Sequence, residues 1–262
     1  FLTQFIESEK TVDELFNTLS EDFIKILEAY SQGINRYAEL HSEKVLVKEL
    51  FPVTPRKMLN YSFLQLFISN GADQLVSKII SNNTVDLSNL RINEDIQGSN
   101  TFAFNNNKTK NGETYLAINT HQPLDGPNSW YEVHLNSEEG TNILGATFAG
   151  APCVLTGVNE HLAWTHTVNY PDKADLFKLK MHKSRKDIYI VDNKEYKLEK
   201  YKAKLKYRIL GINIGIKKTY YKSIFGPTLK NKSGYYSVRT PSLYNIKALE
   251  QWWRMNLSLI HI

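Results

Sequence analysis

Ser99-Asn100-Thr101-Phe102-Ala103-Phe104, then Asn111-Gly112, then Tyr115-Leu116-Ala117-Ile118-Asn119: this stretch decides the fold. From Ser99 onward the hydrophobic period is two, which sends successive side chains to opposite faces of an extended strand. Gly, Asn and Thr become frequent in the same place. Asn111-Gly112 between the two runs is a hairpin signal, because both residues tolerate positive φ. Residues 101–104 and 115–119 are therefore predicted strands. The same reading extends to 130–135, 143–148, 154–158 and 162–168.

Working upstream, residues 83–98 are polar and without period, and they read as a surface connector. Residues 1–82 read as helices. Leu15, Phe16, Leu19, Phe23, Ile26, Leu27 and Tyr30 recur at three- and four-residue steps, with Asp13-Glu14 suited to that helix's N-terminus. A second helical run, 56–80, follows the breakers Pro52 and Pro55 and carries Leu59, Phe63, Leu64, Phe67, Leu75 and Ile79. Helices first and antiparallel strands after is α+β order, not alternating βαβ. The organisation read from this is 1–82 helical, 83–98 connector and 99–262 β-rich.

Composition sets the outer limits. The chain's 262 residues suffice for one large domain or two modest ones, with 42% hydrophobic and 23% charged residues. Aromatics at 12% exclude disorder as the main state. No apolar run reaches the roughly eighteen residues of a spanning helix, so no membrane span is expected. One cysteine, Cys153, excludes an intramolecular disulfide framework and a cysteine-rich zinc site. The chain opens on Phe1 inside an amphipathic pattern and stops at Ile262, just past a helical-looking stretch at 245–257. An internal fragment is expected, with any signal peptide upstream.

Charge is uneven: residues 178–232 hold 17 Lys/Arg against 4 Asp/Glu. Lys202, Lys204, Lys206 and Arg208 alternate there with Tyr201, Ala203, Leu205 and Tyr207, so one strand face is basic and the other apolar. A solvated outer sheet face is the first reading, and a polyanion- or surface-binding β domain is the alternative. No phosphate loop, zinc-finger spacing or RNA-binding signature accompanies the lysines, so no nucleic-acid partner is expected.

Common catalytic motifs are missing: no G-x-S-x-G, H-E-x-x-H or G-x-G-x-x-G occurs. His161 and His166, five apart on a predicted strand, point to opposite faces and do not share a metal. What remains is Gly98-Ser99-Asn100 at the connector's end, His121, and the dense run 145–175.

That set resembles the penicillin amidase (penicillin acylase) family of N-terminal-nucleophile hydrolases. The residues that carry it are Gly98-Ser99-Asn100 opening the β-rich segment, His121 22 residues beyond the serine, and Gly157-Val158-Asn159-Glu160-His161-Leu162-Ala163-Trp164-Thr165-His166-Thr167-Val168. The nearer branch is the one with aculeacin and acyl-homoserine lactone acylases. The likeness runs from Ser99 to about Phe177. It is weaker over 1–82, the end of the family's α-chain, and looser afterwards, through Phe225-Gly226-Pro227 and Trp252-Trp253-Arg254-Met255-Asn256.

The resemblance implies an αββα four-layer sandwich and hydrolysis of a small linear amide. It further implies autoproteolysis at Gly98–Ser99, an α/β heterodimer from one precursor, and a place in the periplasm or outside the cell. Ser99 would be the nucleophile. A serine hydroxyl needs a base, and an N-terminal serine has its own in the α-amine, which titrates at about 7.7–8.0. Gly98 suits the autoproteolytic step, because without a Cβ it can adopt a strained backbone that opens its carbonyl to Ser99. His121 would orient the new terminus through a neutral accepting nitrogen, and the Val168 main-chain N–H would enter the oxyanion hole.

Asp172, the Ala174 carbonyl and Asp175 would bind Ca²⁺ through hard oxygen ligands; no organic cofactor is implied. The family's asparagine that completes the oxyanion hole would lie beyond Ile262. Gln122 stands where relatives carry an aromatic acyl-pocket residue, which argues against a phenylacetyl-type preference. Read alone, Gly-Ser-Asn is also a turn tripeptide, His121 a core histidine, Val168 a paired strand residue and Asp-x-Ala-Asp a polar turn.

Overall fold

A computed structural model describes residues 1–81, 98–126, 128–167, 173–209 and 212–258, with side chains at 206–213 outside the description. The helices are α1 (Leu2–Phe5), α2 (Ser8–Leu15), α3 (Glu21–Leu40), α4 (Pro55–Ser69), α5 (Ala72–Ser81) and α6 (Ala248–Asn256). Among the described residues, fourteen strands, β1 to β14, lie between α5 and α6, and their pairings are antiparallel. Helices followed by antiparallel strands is the α+β order the sequence predicts.

The helices are more divided than their apolar period suggests. The run through Leu15 and Tyr30 is two helices, because Ser20 interrupts it as an N-cap, its Oγ accepting from the Phe23 N–H at 3.4 Å. Glu21 and Asp22 occupy the first turn of α3, whereas Asp13-Glu14 sit in the last turn of α2 rather than at a helix start. The 56–80 run also splits, at Gly71, whose φ of +73° ends the α4 turn before α5 begins.

The chain divides into two units. One contains residues 1–16, 59–81 and 173–246. Its strands are β7 (Asp175–Lys178), β8 (Lys180–Met181), β9 (Ile188–Val191), β10 (Lys194–Lys197), β11 (Glu199–Ile209), β12 (Ile212–Ser223), β13 (Gly226–Asn231) and β14 (Gly234–Arg239). They form a five-stranded sheet ordered β11-β12-β13-β14-β7 and a three-stranded sheet β10-β9-β8. Leu179, Tyr189 and Leu198 form a buried cluster there, and α5 buries Ala72, Leu75, Val76 and Ile79. On β11, Lys200, Lys202 and Lys204 are exposed while Ala203 is fully buried, so the alternation does separate a basic face from an apolar one.

The second unit contains residues 17–58, the described residues between 98 and 167, and 247–258. It holds a two-stranded ribbon, β1 (Ser99–Phe104) and β2 (Tyr115–Thr120). It also holds a four-stranded sheet ordered β3-β4-β5-β6: β3 (Trp130–Asn136), β4 (Asn142–Phe148), β5 (Thr156–Asn159) and β6 (Ala163–Trp164).

Two predicted strands are shorter than expected. Strand β5 starts at Thr156 because Val154 is engaged elsewhere: its N–H donates to Asn256 Oδ1 at 2.8 Å and its carbonyl accepts from Asn256 Nδ2 at 2.7 Å. Strand β6 stops at Trp164, residues 165–167 are not in a strand, and Val168 lies outside the described residues.

Gly145 and Gly157 are cross-strand partners where the sheet is tightest. A Cβ on Gly145 would stand 2.2 Å from the Thr156 carbonyl, and one on Gly157 would stand 2.5 Å from that of Leu144. The space is taken by Val154, which packs with Ile143 and Trp164 beside Met255 of α6.

Candidate active site

The β1/β2 register pairs Ser99 with Thr120, which sets Gly98 opposite His121 one step further out. The His121 N–H donates to the Gly98 carbonyl at 3.3 Å, and the Ser99 hydroxyl donates to the same oxygen at 2.7 Å. Two donors therefore converge on the carbonyl of the Gly98–Ser99 peptide. Gly98 and Ser99 are half-buried, and Asn100, Asn119 and His121 are exposed. This is an open edge with polar groups gathered on it.

The His121 ring is placed by two amides. Asn100 Nδ2 lies 3.2 Å and Asn119 Nδ2 3.4 Å from its Nε2. Amide NH₂ groups donate, so Nε2 serves both as a lone-pair acceptor and the ring proton belongs on Nδ1. Nδ1 is the ring atom nearest to where a Cβ on Gly98 would stand, at 3.4 Å. The accepting nitrogen is thus already occupied in the uncut chain, by Asn100 and Asn119, to which the sequence reading assigned no role. Their signal is positional: both lie on the strand face that carries Phe102 and Ala117, next to the residues singled out. Gly98 does not have φ in the left-handed region, so no backbone strain marks it. The glycine gives the imidazole room instead.

Val168 and Asp172 fall outside the described residues. Ala174 is buried just before β7, and Asp175 opens β7, exposed, in register with Arg239. Among the described residues, no three His, Cys, Asp or Glu side chains gather as a metal site. The His161 N–H donates to Asn159 Oδ1 in a turn at 2.8 Å, and His166 instead meets Trp252 of α6.

Cys153 is buried and its thiol is pushed up to about 12 by desolvation, which keeps it protonated and unreactive. A groove of about 680 Å³ in this unit is apolar and runs past Tyr30, Tyr37, Leu46 and Phe51; none of the predicted site residues lines it. No helix among the described residues is long and apolar enough to cross a membrane.

The profile of the family described as penicillin amidase matches residues 3–258. An acyl-homoserine lactone acylase, PvdQ, of Pseudomonas fluorescens is 25% identical over 97% of this chain and 36% of its own length. Aculeacin-A acylase of Actinoplanes utahensis is 23% identical over 60% of this chain and 20% of its own. A solved thermostable penicillin G acylase from Alcaligenes faecalis aligns with a TM-score of 0.48 at 25% identity, over 60% of this chain and 28% of that one. The chain spans about a third of the length of the P. fluorescens relative.

Proposed function

The chain belongs to the penicillin amidase family, and we propose that it carries the nucleophile of an acylase that hydrolyses a linear amide through an acyl-enzyme on Ser99. The observation behind this is the doubly hydrogen-bonded Gly98 carbonyl, with the Ser99 hydroxyl at 2.7 Å and the His121 N–H at 3.3 Å. In the uncut chain the Ser99 nitrogen is an amide whose lone pair is delocalised into the Gly98 carbonyl, so it cannot act as base. Rotation about the Ser99 Cα–Cβ bond carries Oγ onto the Gly98 carbonyl carbon. The C–N bond breaks as the ester forms, and the hydroxyl proton passes to the departing Ser99 nitrogen. Water then hydrolyses the ester, leaving a Gly98 carboxylate and a Ser99 α-amine. The His121 N–H already sits on the oxygen where charge develops, so it stabilises the tetrahedral stage without reorganising.

The freed amine supplies the missing base. It takes the hydroxyl proton as Oγ attacks the substrate carbonyl and returns it to the leaving amine, after which water deacylates the serine. The Val168 N–H would hold the substrate oxyanion, and His121 would orient the new terminus. Two chains would arise from one precursor, acting on a small amide outside the cytoplasm. Because protonation removes the base, activity should be lost as pH falls through the amine's pKa.

For the intact protein, mass measurement and N-terminal sequencing should find a chain beginning Ser-Asn-Thr. Ser99→Ala should abolish both cleavage and hydrolysis. Normal two-chain processing in that variant would end the assignment.

Calcium is a separate part of the proposal. Asp172, the Ala174 carbonyl and Asp175 would hold Ca²⁺. The Asp175 carboxylate supports this, being exposed and without an ion pair among the described residues. Hard oxygen donors suit the cation, and binding there would add to folding stability. Chelation should lower the melting temperature by several degrees and leave the catalytic constants nearly unchanged; an unmoved melting curve would remove calcium from the account.

A further inference from the structure

Residues 200–222 hold eight Lys/Arg and no Asp or Glu, and the chemistry at Ser99 uses none of them. This run supplies β11 from Lys200 onward and β12 as far as Lys222. Strand β12 meets β13 through Tyr221, Lys222 and Ser223. Further out its described partner is β11 alone, so the ladder leaves the rest of the five-stranded sheet as a two-stranded arm.

The two faces of the arm differ. Residues directly opposite in an antiparallel ladder share a face, and faces alternate along each strand. Lys204 pairs with Lys217 and Lys202 with Thr219, and Lys200 lies on the same side. These four lysines are exposed. Of the lysines on the ladder, only Lys222 has an ion pair among the described residues, with Glu7 at 2.6 Å. Lys204 opposite Lys217 is a like-charge pair, which costs stability. The other face sets Leu205 against Ile216, with Ile214 two residues further along. Ile216 is 50% exposed and Ile214 44%. The carboxylate at the arm's root does not offset the lysines, because Glu199 lies on the isoleucine face and accepts from the Tyr201 hydroxyl.

The free edge of β11 is already engaged at Lys204. Its N–H donates to Gln4 Oε1 at 2.8 Å, and its carbonyl accepts from Gln4 Nε2 at 3.0 Å. What the arm presents is therefore side chains.

We propose that this arm is a docking surface for an anionic lipid bilayer, its isoleucine face entering the headgroup layer and its lysines pairing with lipid phosphates. Lysines alone would hold any polyanion, whereas exposed isoleucines gain only from an apolar phase. The ribbon is one residue thick, so lysines on its far face stay within the roughly 8–10 Å over which charges act at physiological salt. Their alkyl stems let the ammonium groups bend toward the phosphates. Docking is independent of the Ser99 chemistry.

The test sediments the intact protein with phosphatidylcholine vesicles, with and without phosphatidylglycerol. Binding should require phosphatidylglycerol and weaken with added salt. Lys202→Gln and Lys204→Gln should each weaken it about fivefold, and Lys204→Arg should leave it unchanged. Ile214→Ser and Ile216→Ser should each weaken it about tenfold, with heparin binding and melting temperature unmoved.

Failure of the intact protein to sediment with phosphatidylglycerol vesicles would overturn the proposal. Vesicle binding undiminished in both isoleucine variants would do the same, since the partner would then be a polyanion without an apolar phase. Binding unaffected by Lys202→Gln and Lys204→Gln would place the contact elsewhere and remove the arm from it.

Discussion

The β1/β2 ribbon and the β3–β6 sheet lie in one unit, and both are rich in Gly and Asn, yet they use these residues in opposite ways. The ribbon has only two strands and leaves Phe102, Phe104 and Tyr115 about half exposed. Its one notable glycine, Gly98, has a histidine ring in ordinary contact range, and its asparagines aim their amides at that ring. In the sheet, Gly145 and Gly157 leave no space for a Cβ, and Asn256 bonds the backbone of a fully buried Val154. Packing fixes the sheet. The ribbon is fixed by strand register and a few side-chain hydrogen bonds. Substitutions in the sheet should therefore appear as lost folding, and those in the ribbon as altered chemistry.

The strongest challenge to that contrast is a methyl group on the sheet glycines. Gly145→Ala or Gly157→Ala must push a carbonyl now 2.2 or 2.5 Å from the new carbon, and backbone cannot yield cheaply. Each should cost about 3 kcal/mol, at the upper end of overpacking effects, measured by denaturant unfolding of the intact protein. A cost under about 1 kcal/mol would mean the sheet is looser than its packing indicates.

A smaller effect concerns α6, the helix that packs on the sheet. Glu250 is 4% exposed. Burial alone would raise its pKa, but hydrogen bonds from Arg254 and Ser20 outweigh this and hold the carboxyl below its usual range. A folded-state pKa below the unfolded value contributes stability that is present above the unfolded pKa, about 4.3, and is lost as pH falls through the folded one. Acidification below about pH 4.3 should therefore remove about 1 kcal/mol, the net scale of an ordinary hydrogen bond. Glu250→Gln should flatten that part of the stability profile. An unchanged acid limb in Glu250→Gln would assign it to other carboxylates.

How much of this could be read in advance follows the same division. The ribbon was legible because period two and Asn-Gly are local signals, and pairing Ser99 with Thr120 brings Gly98 and His121 together from 23 positions apart. The turn itself was not: residues 105–114 form a longer loop with a helical turn at Asn106–Lys108, and of Asn111-Gly112 only the glycine has positive φ. Asn256 reaches Val154 across 102 positions, and Trp252 reaches His166 across 86. Such side-chain bonds leave no periodic trace, so a strand drawn through Val154 was the natural reading of an apolar run. The apolar step from Leu15 to Tyr30 likewise concealed Ser20, although Ser20-Glu21-Asp22 is itself a helix-start signal.

The mildest expected effect returns to Gly98, where the two regions differ most for the same residue type. Its φ lies outside the left-handed region, so an alanine meets no backbone penalty. The new Cβ would stand 3.4 Å from His121 Nδ1 and 3.8 Å from Cε1, which is ordinary contact. Gly98→Ala should therefore change stability by no more than about 0.5 kcal/mol, and the narrower unfolded ensemble could make the sign favourable. Cleavage before Ser99 should persist, because the Ser99 hydroxyl and the His121 N–H reach the residue-98 carbonyl through atoms the substitution does not touch. Any slowing would come from the imidazole shifting off Asn100 and Asn119, and it should appear in the processing rate while the melting temperature stays put. If Gly98→Ala instead unfolds the protein as Gly157→Ala is expected to, the ribbon is held by packing after all, and the distinction between the two regions fails.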